Sequence, residues 1–256
     1  MATSTNPSTL SNPTPSVNPP TSTQSSTIEV LTTQPLLGYE VVAKPITSER
    51  LLIRPFKLSD LFAYHSLLSQ PEPKAFGIMG GLNPSNDLDS SLSSFAQMLS
   101  AWEDGIFYAI FLKTRDDKED TFIGKLYIMG GFWPHISYML KKEFWGQGYG
   151  TEAVKAFSQF WWNLPRVQKT YYRANPEDVV KNTQIFSRDP DQALEILRAT
   201  IEPANIASRK VLEKAGFEKY GGENVGMGIK YIKYRLLRPQ HSIKSLRDLI
   251  KEGQIR

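Results

Sequence analysis

Apolar and polar residues repeat along this chain with two periods, near 2 and near 3.6, and the two periods divide it into strands and helices. Glu49–Phe56, Phe107–Lys113, Thr121–Met129, Ile136–Leu140, Glu195–Glu202 and Ile229–Leu237 read as strands. The helical period predicts a helix over Leu61–Leu68 with Ser59 as its N-cap. A second helix starts at Ser85 or Asn86 and carries Leu88, Leu92, Phe95, Met98 or Leu99, and Trp102 on one face. A third opens near Thr151-Glu152, places Val154, Phe157, Phe160 or Trp161, and Leu164 on one side, and stops at Pro165. A fourth covers Ile206–Ala215, with Gly216 as C′ residue and Phe217 folding back.

Between these elements the pattern fails. Residues 69–86 read as a long loop, 114–120 as a polar hairpin turn, and 171–194 as an insertion with one short helix at most. Residues 1–35 are rich in Ser, Thr and Pro, too poor in apolar side chains to offset the entropy of ordering, and are predicted to be a disordered tail. The folded domain is then expected over 36–240, with a tail at 241–256 that forms a short amphipathic helix. The order β-α-α-β-β-β-α-insertion-β-α-β predicts an α/β fold (α+β mixed sheet) with helices on both faces. Strands 136–140 and 195–202, joined through a helix, should lie side by side and parallel. Strands 107–113 and 121–129 form an antiparallel hairpin.

Composition narrows the chemistry. The 256 residues include no cysteine, which excludes disulfides, thiolate metal sites and a cysteine nucleophile. The net charge is +4, with acids and bases interleaved, so no polybasic arm argues for nucleic acid. No apolar run reaches the ~20 residues of a membrane helix. The N-terminus has neither a charged n-region nor an apolar h-region, and a cytoplasmic or nuclear setting is expected. No His, Asp or Glu spacing suggests a metal site.

The most informative stretch is Trp145-Gly146-Gln147-Gly148-Tyr149-Gly150, between a strand and a helix start. Three glycines in five residues permit left-handed backbone and close approach of a ligand. Successive N–H groups in such a turn, backed by the positive end of a helix, suit a phosphate or pyrophosphate. A tight turn that binds nothing has the same composition, so both readings stand on this motif alone.

Four stretches in order widen the comparison: ITSERLLIRPF at 46–56, TFIGKLYIMGG at 121–131, ISYMLKKEFWGQGYGTEA at 136–153 and RATIEPANIASRKVLEKAGF at 198–217. Together they resemble the GNAT superfamily of acyl-CoA-dependent N-acetyltransferases, and within it the ribosomal-protein alanine N-acetyltransferase branch. The resemblance implies a central sheet in which strands 136–140 and 195–202 splay apart. Acetyl-CoA is then the co-substrate, bound with its pyrophosphate on Gln147, Gly148, Tyr149, Gly150 and Thr151. Its pantetheine arm would run along Tyr138 and Leu140, near Asn205 and Ser208. The family's first loop position is Gln or Arg, and Trp145 departs from it.

The resemblance also places His135 where relatives carry a glutamate base, and an imidazole is a competent base near neutral pH. An edge histidine with no role is the plain alternative. Many relatives place a tyrosine acid where this chain has Leu212; Ser208 or Tyr138 would have to replace it. Asn205 is expected as a helix N-cap as much as a ligand contact. His65 and His241 are read as structural. Loop 69–86 and insertion 171–194, with Phe76, Phe132, Trp133, Tyr171 and Tyr172, are the candidates for the acceptor pocket. The function implied is acetyl transfer to a primary amine by direct attack in a ternary complex. A non-catalytic acyl-CoA-binding domain is the alternative, and a dinucleotide-binding domain is disfavoured because no acidic residue ends the strand after the glycine turn.

Overall fold

The computed structural model describes residues 28–35, 42–74, 87–100, 105–116, 118–129, 134–174, 193–226 and 229–239. The strands are β1 Ile28–Pro35, β2 Ile46–Thr47, β3 Leu51–Pro55, β4 Gly105–Lys113, β5 Glu119–Met129, β6 His135–Leu140, β7 Arg166–Ala174, β8 Ile196–Ile201, β9 Glu218–Gly226 and β10 Ile229–Leu237. The helices are α1 Leu61–Leu68, α2 Leu88–Ser100, α3 Tyr149–Asn163 and α4 Ile206–Lys214, with a further single turn at Pro71–Lys74. Eight strands form one mixed sheet in the order β2-β3-β4-β5-β6-β8-β10-β9, and β1 pairs with β7 in a separate ribbon.

Helices cover both faces of the sheet, as the alternation along its strands requires. On one face α3 and α4 bury Val154, Phe157, Trp161 and Leu212 against Leu51, Ile53, Leu126, Ile136, Leu140 and Leu197. On the other, α1 and α2 bury Tyr64, Leu67, Phe95 and Met98 against Leu52, Ala109, Phe111 and Phe122. Val154, Phe157 and Trp161 of α3 and Leu164, its C-cap, are all buried, so the predicted apolar face is the observed one. His65 takes a structural position, its Nδ1 2.8 Å from Ser91 Oγ between α1 and α2.

Several expectations need correction. Ile28–Pro35 belongs to the predicted tail but forms β1, antiparallel to β7. Its Ser/Thr-rich composition masks β-branched residues that suit a strand. Thr32 Oγ1 donates to the Ala193 carbonyl at 2.8 Å, and Val30 packs on Ala193 and Ile196. The pattern assigns part of β7 to loop and marks no strand at β9; each exists through pairing with a partner strand. α3 begins at Tyr149, earlier than Thr151, because Gly148 at φ +85° serves as its N-cap. At α1 the N-cap is Asp60, not Ser59, and Asp60 Oδ2 accepts from Lys57 N at 2.7 Å. Residues 1–27, 175–192 and 241–256 lie outside the described residues, so the proposed tails and most of the insertion do too.

Candidate active site

β6 and β8 are parallel neighbours, yet their register contains a single pair, His135 with Arg198. Arg198 N donates to Pro134 O at 2.8 Å beside that bridge, and Lys141 N donates to Ile123 O at 2.8 Å on the β5 side. Alternate residues of a strand bond to opposite neighbours. The even-numbered main-chain groups of β6 therefore point toward β8, and beyond the bridge Tyr138 and Leu140 meet a gap there. Main-chain groups along such a gap are suited to a ligand that supplies its own amides.

A groove of about 1020 Å³ runs through this gap. Its lining comes from both faces of the sheet. Tyr138 and Leu140 belong to the α3/α4 side, whereas Met139 packs on the α1/α2 side with Tyr64 and Phe122. His135 and Ser137 share the parity of Met139 and so the same side. Lys125 and Tyr127 pair with Met139 and Ser137 and join them. The groove thus connects the helix start at Gly148 with a second chamber across the sheet.

At its first end, Gly146 and Gly148 have φ of +74° and +85°. The turn is exposed, and the first amides of α3 have no acceptor within their own helix. Gly148, Tyr149, Gly150 and Thr151 line the groove here. Gly150 packs against the groove wall, where a Cβ would stand 3.4 Å from Val211 Cγ2 and 3.6 Å from Leu140 Cδ1, in ordinary contact. Gln147 is placed differently from the expectation. It is absent from the lining, its side chain donates to Glu143 O at 2.8 Å, and its carbonyl accepts from Arg50 Nη1 at 3.1 Å.

The turn is anchored from below. The Glu152 carboxylate accepts from Ser48 Oγ at 2.7 Å, Arg50 N at 2.8 Å and Arg50 Nε at 2.7 Å. Burial alone would raise this carboxyl, but the bonds from Ser48 and Arg50 outweigh it and hold the group low. Trp145, the departure from the family pattern, has its own place: its Nε1 donates to Leu140 O at 2.9 Å.

Along the middle, Tyr138 donates its hydroxyl to the Ser208 carbonyl at 3.3 Å, and burial pushes its phenol up to about 12. It is a neutral tie between β6 and α4. Asn205 is the N-cap of α4, its Oδ1 accepting from Ser208 N at 3.0 Å, and both residues line the groove. Leu212 is fully buried in the core, so the position that holds a tyrosine in many relatives is packed with hydrocarbon.

His135 stands at the vertex, its Nε2 2.8 Å from Thr200 Oγ1. Burial, with the nearby Arg198 charge, lowers its imidazole to about 4. It is neutral at neutral pH and only weakly basic. Of the residues expected at the acceptor pocket, Tyr171 lies in β7 and bonds Gln34 of β1. Phe76, Phe132 and Trp133 lie outside the described residues, and of Tyr172 only the strand backbone is described. Lys125, Arg198 and Lys233, which line the groove, were missed. Lys125 had a visible signal: a lone cation in the apolar run FIGKLYIM.

A family model of the acetyltransferase (GNAT) domain matches residues 50–218. The chain belongs to the GNAT acetyltransferase family. Acyl-CoA-dependent acetyl transfer is the activity this membership carries. Comparison with curated proteins finds no match. Among solved structures, a GNAT-family acetyltransferase from Bacillus anthracis has a TM-score of 0.54 at 18% identity, covering 76% of this chain and 99% of that one. Mycobacterium smegmatis RimJ, solved with a CoA disulfide, has a TM-score of 0.54 at 16% identity, covering 83% and 96%. A ribosomal-protein-S5-alanine acetyltransferase from Vibrio fischeri has a TM-score of 0.53 at 16% identity, covering 77% and 98%. At these identities the likeness is one of fold. The described part of the GNAT groove fits an acyl-CoA in three respects: free helix-start amides behind left-handed glycines, a strand edge facing a gap, and a channel that crosses the sheet.

Proposed function

We propose that this protein moves an acetyl group from acetyl-CoA to a primary amine, either a peptide N-terminus or a small-molecule amine, by direct attack in a ternary complex. The observation that carries the reading is the parting of β6 and β8 after one pair, with a groove through the gap. Gly148, Tyr149, Gly150 and Thr151 would receive the pyrophosphate on main-chain amides. The main chain of Tyr138 and the Leu140 N–H would receive the pantetheine amides, the Leu140 carbonyl being held by Trp145, with Asn205 and Ser208 on the opposite wall.

The amine nitrogen attacks the thioester carbonyl carbon, a C–N bond forms, the C–S bond breaks, and the CoA thiolate leaves and takes up a proton. The nitrogen must be neutral to attack, and its ammonium has a pKa of roughly 8 for an α-amino group. Cations on the acceptor side lower that value further by like-charge repulsion. After attack the nitrogen is far more acidic than the parent ammonium. A weakly basic neutral imidazole is then sufficient, and His135 is the candidate for that proton. Ser208 is the candidate donor to the leaving sulfur, since Leu212 offers no hydroxyl. With no cysteine in the chain, no enzyme thioester intervenes.

The buried Leu212 and the low basicity of His135 favour one competing reading, a domain that binds acyl-CoA without turning it over. Thiol release from acetyl-CoA across a panel of amines and peptide N-termini separates the two, and the cysteine-free chain adds no thiol background. Turnover with at least one amine, reduced in His135→Ala with CoA affinity retained, supports catalysis. Tight CoA binding with no turnover on any acceptor supports the binding domain.

A further inference from the structure

The described lining of the groove contains five cations, Lys125, Arg198, Lys210, Lys214 and Lys233, and no Asp or Glu. Lys210 and Lys214 lie on α4, toward the end that suits pyrophosphate. The other three sit on strands and face the acceptor side. Lys125 pairs with Met139, Arg198 with His135, and Lys233 with Thr200, whose hydroxyl meets the His135 imidazole. An amine acceptor is itself a cation in solution, and one that also carries a carboxylate offers these side chains a complementary charge.

Lys125 is the sharpest case. It is half-buried in the middle of β5, with its Nζ 5.1 Å from the Tyr64 ring centroid and 5.8 Å from that of Tyr127. Among the described residues its ammonium makes no hydrogen bond and no ion pair. Two aromatic faces tolerate a charge but do not neutralise it. Burial draws the ammonium down to about 8, which leaves it mostly charged at neutral pH. A charged lysine held between rings at the wall of a groove is arranged to receive an anion.

Resting on the acetyltransferase reading above, we infer that Lys125 binds a carboxylate of the acceptor, and that the acceptor is a peptide N-terminus with an acidic side chain at its second or third residue. The spacing selects the peptide. Lys125 stands opposite Met139, four residues along β6 from His135, a separation of roughly 13 Å between strand positions. An acidic side chain at the second or third residue of an extended peptide would put its carboxylate well away from the amine and in the direction of Lys125. The α-carboxylate of a free amino acid lies too close to its own amine.

The test uses the full chain and short peptides that differ only in Asp against Asn, or Glu against Gln, at positions two and three. Acetylation rates are compared at limiting peptide, and peptide affinity is measured with CoA bound, which needs no turnover. The acidic member should lead by about tenfold in both readouts, the scale of one charge-assisted hydrogen bond. Lys125→Met should bring the ratio toward one, and Lys125→Arg should restore most of it. CoA affinity reports that each variant is folded. Equal use of both members, or a preference that survives in Lys125→Met, overturns the inference. So does acetyl found by mass on Lys125 itself after incubation without peptide. Absence of turnover with the affinity preference intact would instead overturn only the catalytic reading.

Discussion

The imidazole Nε2 of His135 and the hydroxyl of Thr200 lie 2.8 Å apart at the point where β6 and β8 separate. One hydrogen bond between side chains thus reinforces the one register pair that holds the two halves of the sheet together at the groove. Thr200→Val removes it and should cost about 1 kcal/mol of stability, read from the urea midpoint.

The same histidine makes stability depend on pH. Its folded value of about 4 lies below the ordinary 6.5, so the unfolded chain binds the proton more tightly. Stability is therefore lost as pH falls from the ordinary value toward the folded one. Between about pH 7 and about pH 4.5, His135→Gln should lose less unfolding free energy than the parent, by on the order of 2 kcal/mol. Parallel pH curves for the two proteins would show that the imidazole is not held neutral.

Two glycines near the groove should fail in different ways. A Cβ on Gly124 would overlap the Met139 carbonyl oxygen, so Gly124→Ala forces β5 and β6 apart and should cost up to about 3 kcal/mol of stability. Gly148 has room, with Arg50 Nη2 at 3.4 Å, but its φ of +85° strains any other residue. Gly148→Ala should cost only ~1–2 kcal/mol of stability. Its main effect should be on CoA affinity, weakened about tenfold as the amides reorient. Denaturation and CoA titration of both variants check the contrast.

Glu152 joins the start of α3 to the chain before β3 through Ser48 and Arg50. Glu152→Ala leaves these donors without their acceptor and frees the turn that Arg50 holds through the Gln147 carbonyl. A loss of ~1–3 kcal/mol of stability is expected, together with a severalfold rise in the Kd for CoA. Unchanged CoA binding would mean that the turn keeps its shape without this support.

Arg54 is buried and bonds Asp60 at 2.6 and 2.9 Å while its Nε reaches Glu119 at 2.5 Å. The Arg54 hydrogen bonds hold the Glu119 carboxyl at about 2. This contribution is present above the ordinary carboxylate pKa and is lost as pH falls toward the folded value. Arg54→Met leaves the buried Asp60 without its counter-charge and should cost ~3–5 kcal/mol. Arg54→Met combined with Asp60→Leu should recover much of that in thermal melts, because no lone charge remains inside.

The features legible in the amino-acid pattern are those that near neighbours in the chain decide among themselves. The 3.6 period over Val154, Phe157 and Trp161, the Pro165 stop and the Asn205 cap all rest on relations within a few residues. The glycine turn at 146–150 was legible for the same reason, since its backbone must bend whatever surrounds it. That Ile28–Pro35 is a strand follows from long-range pairing alone, because its partner lies more than a hundred residues away in β7. Pairing also decided β9, the side on which Gln147 lies, and the parting of β6 from β8. Lys125 and His135 are plain residues in the sequence. Their chemistry comes from desolvation and from groups brought across the sheet, and local pattern carries no record of either.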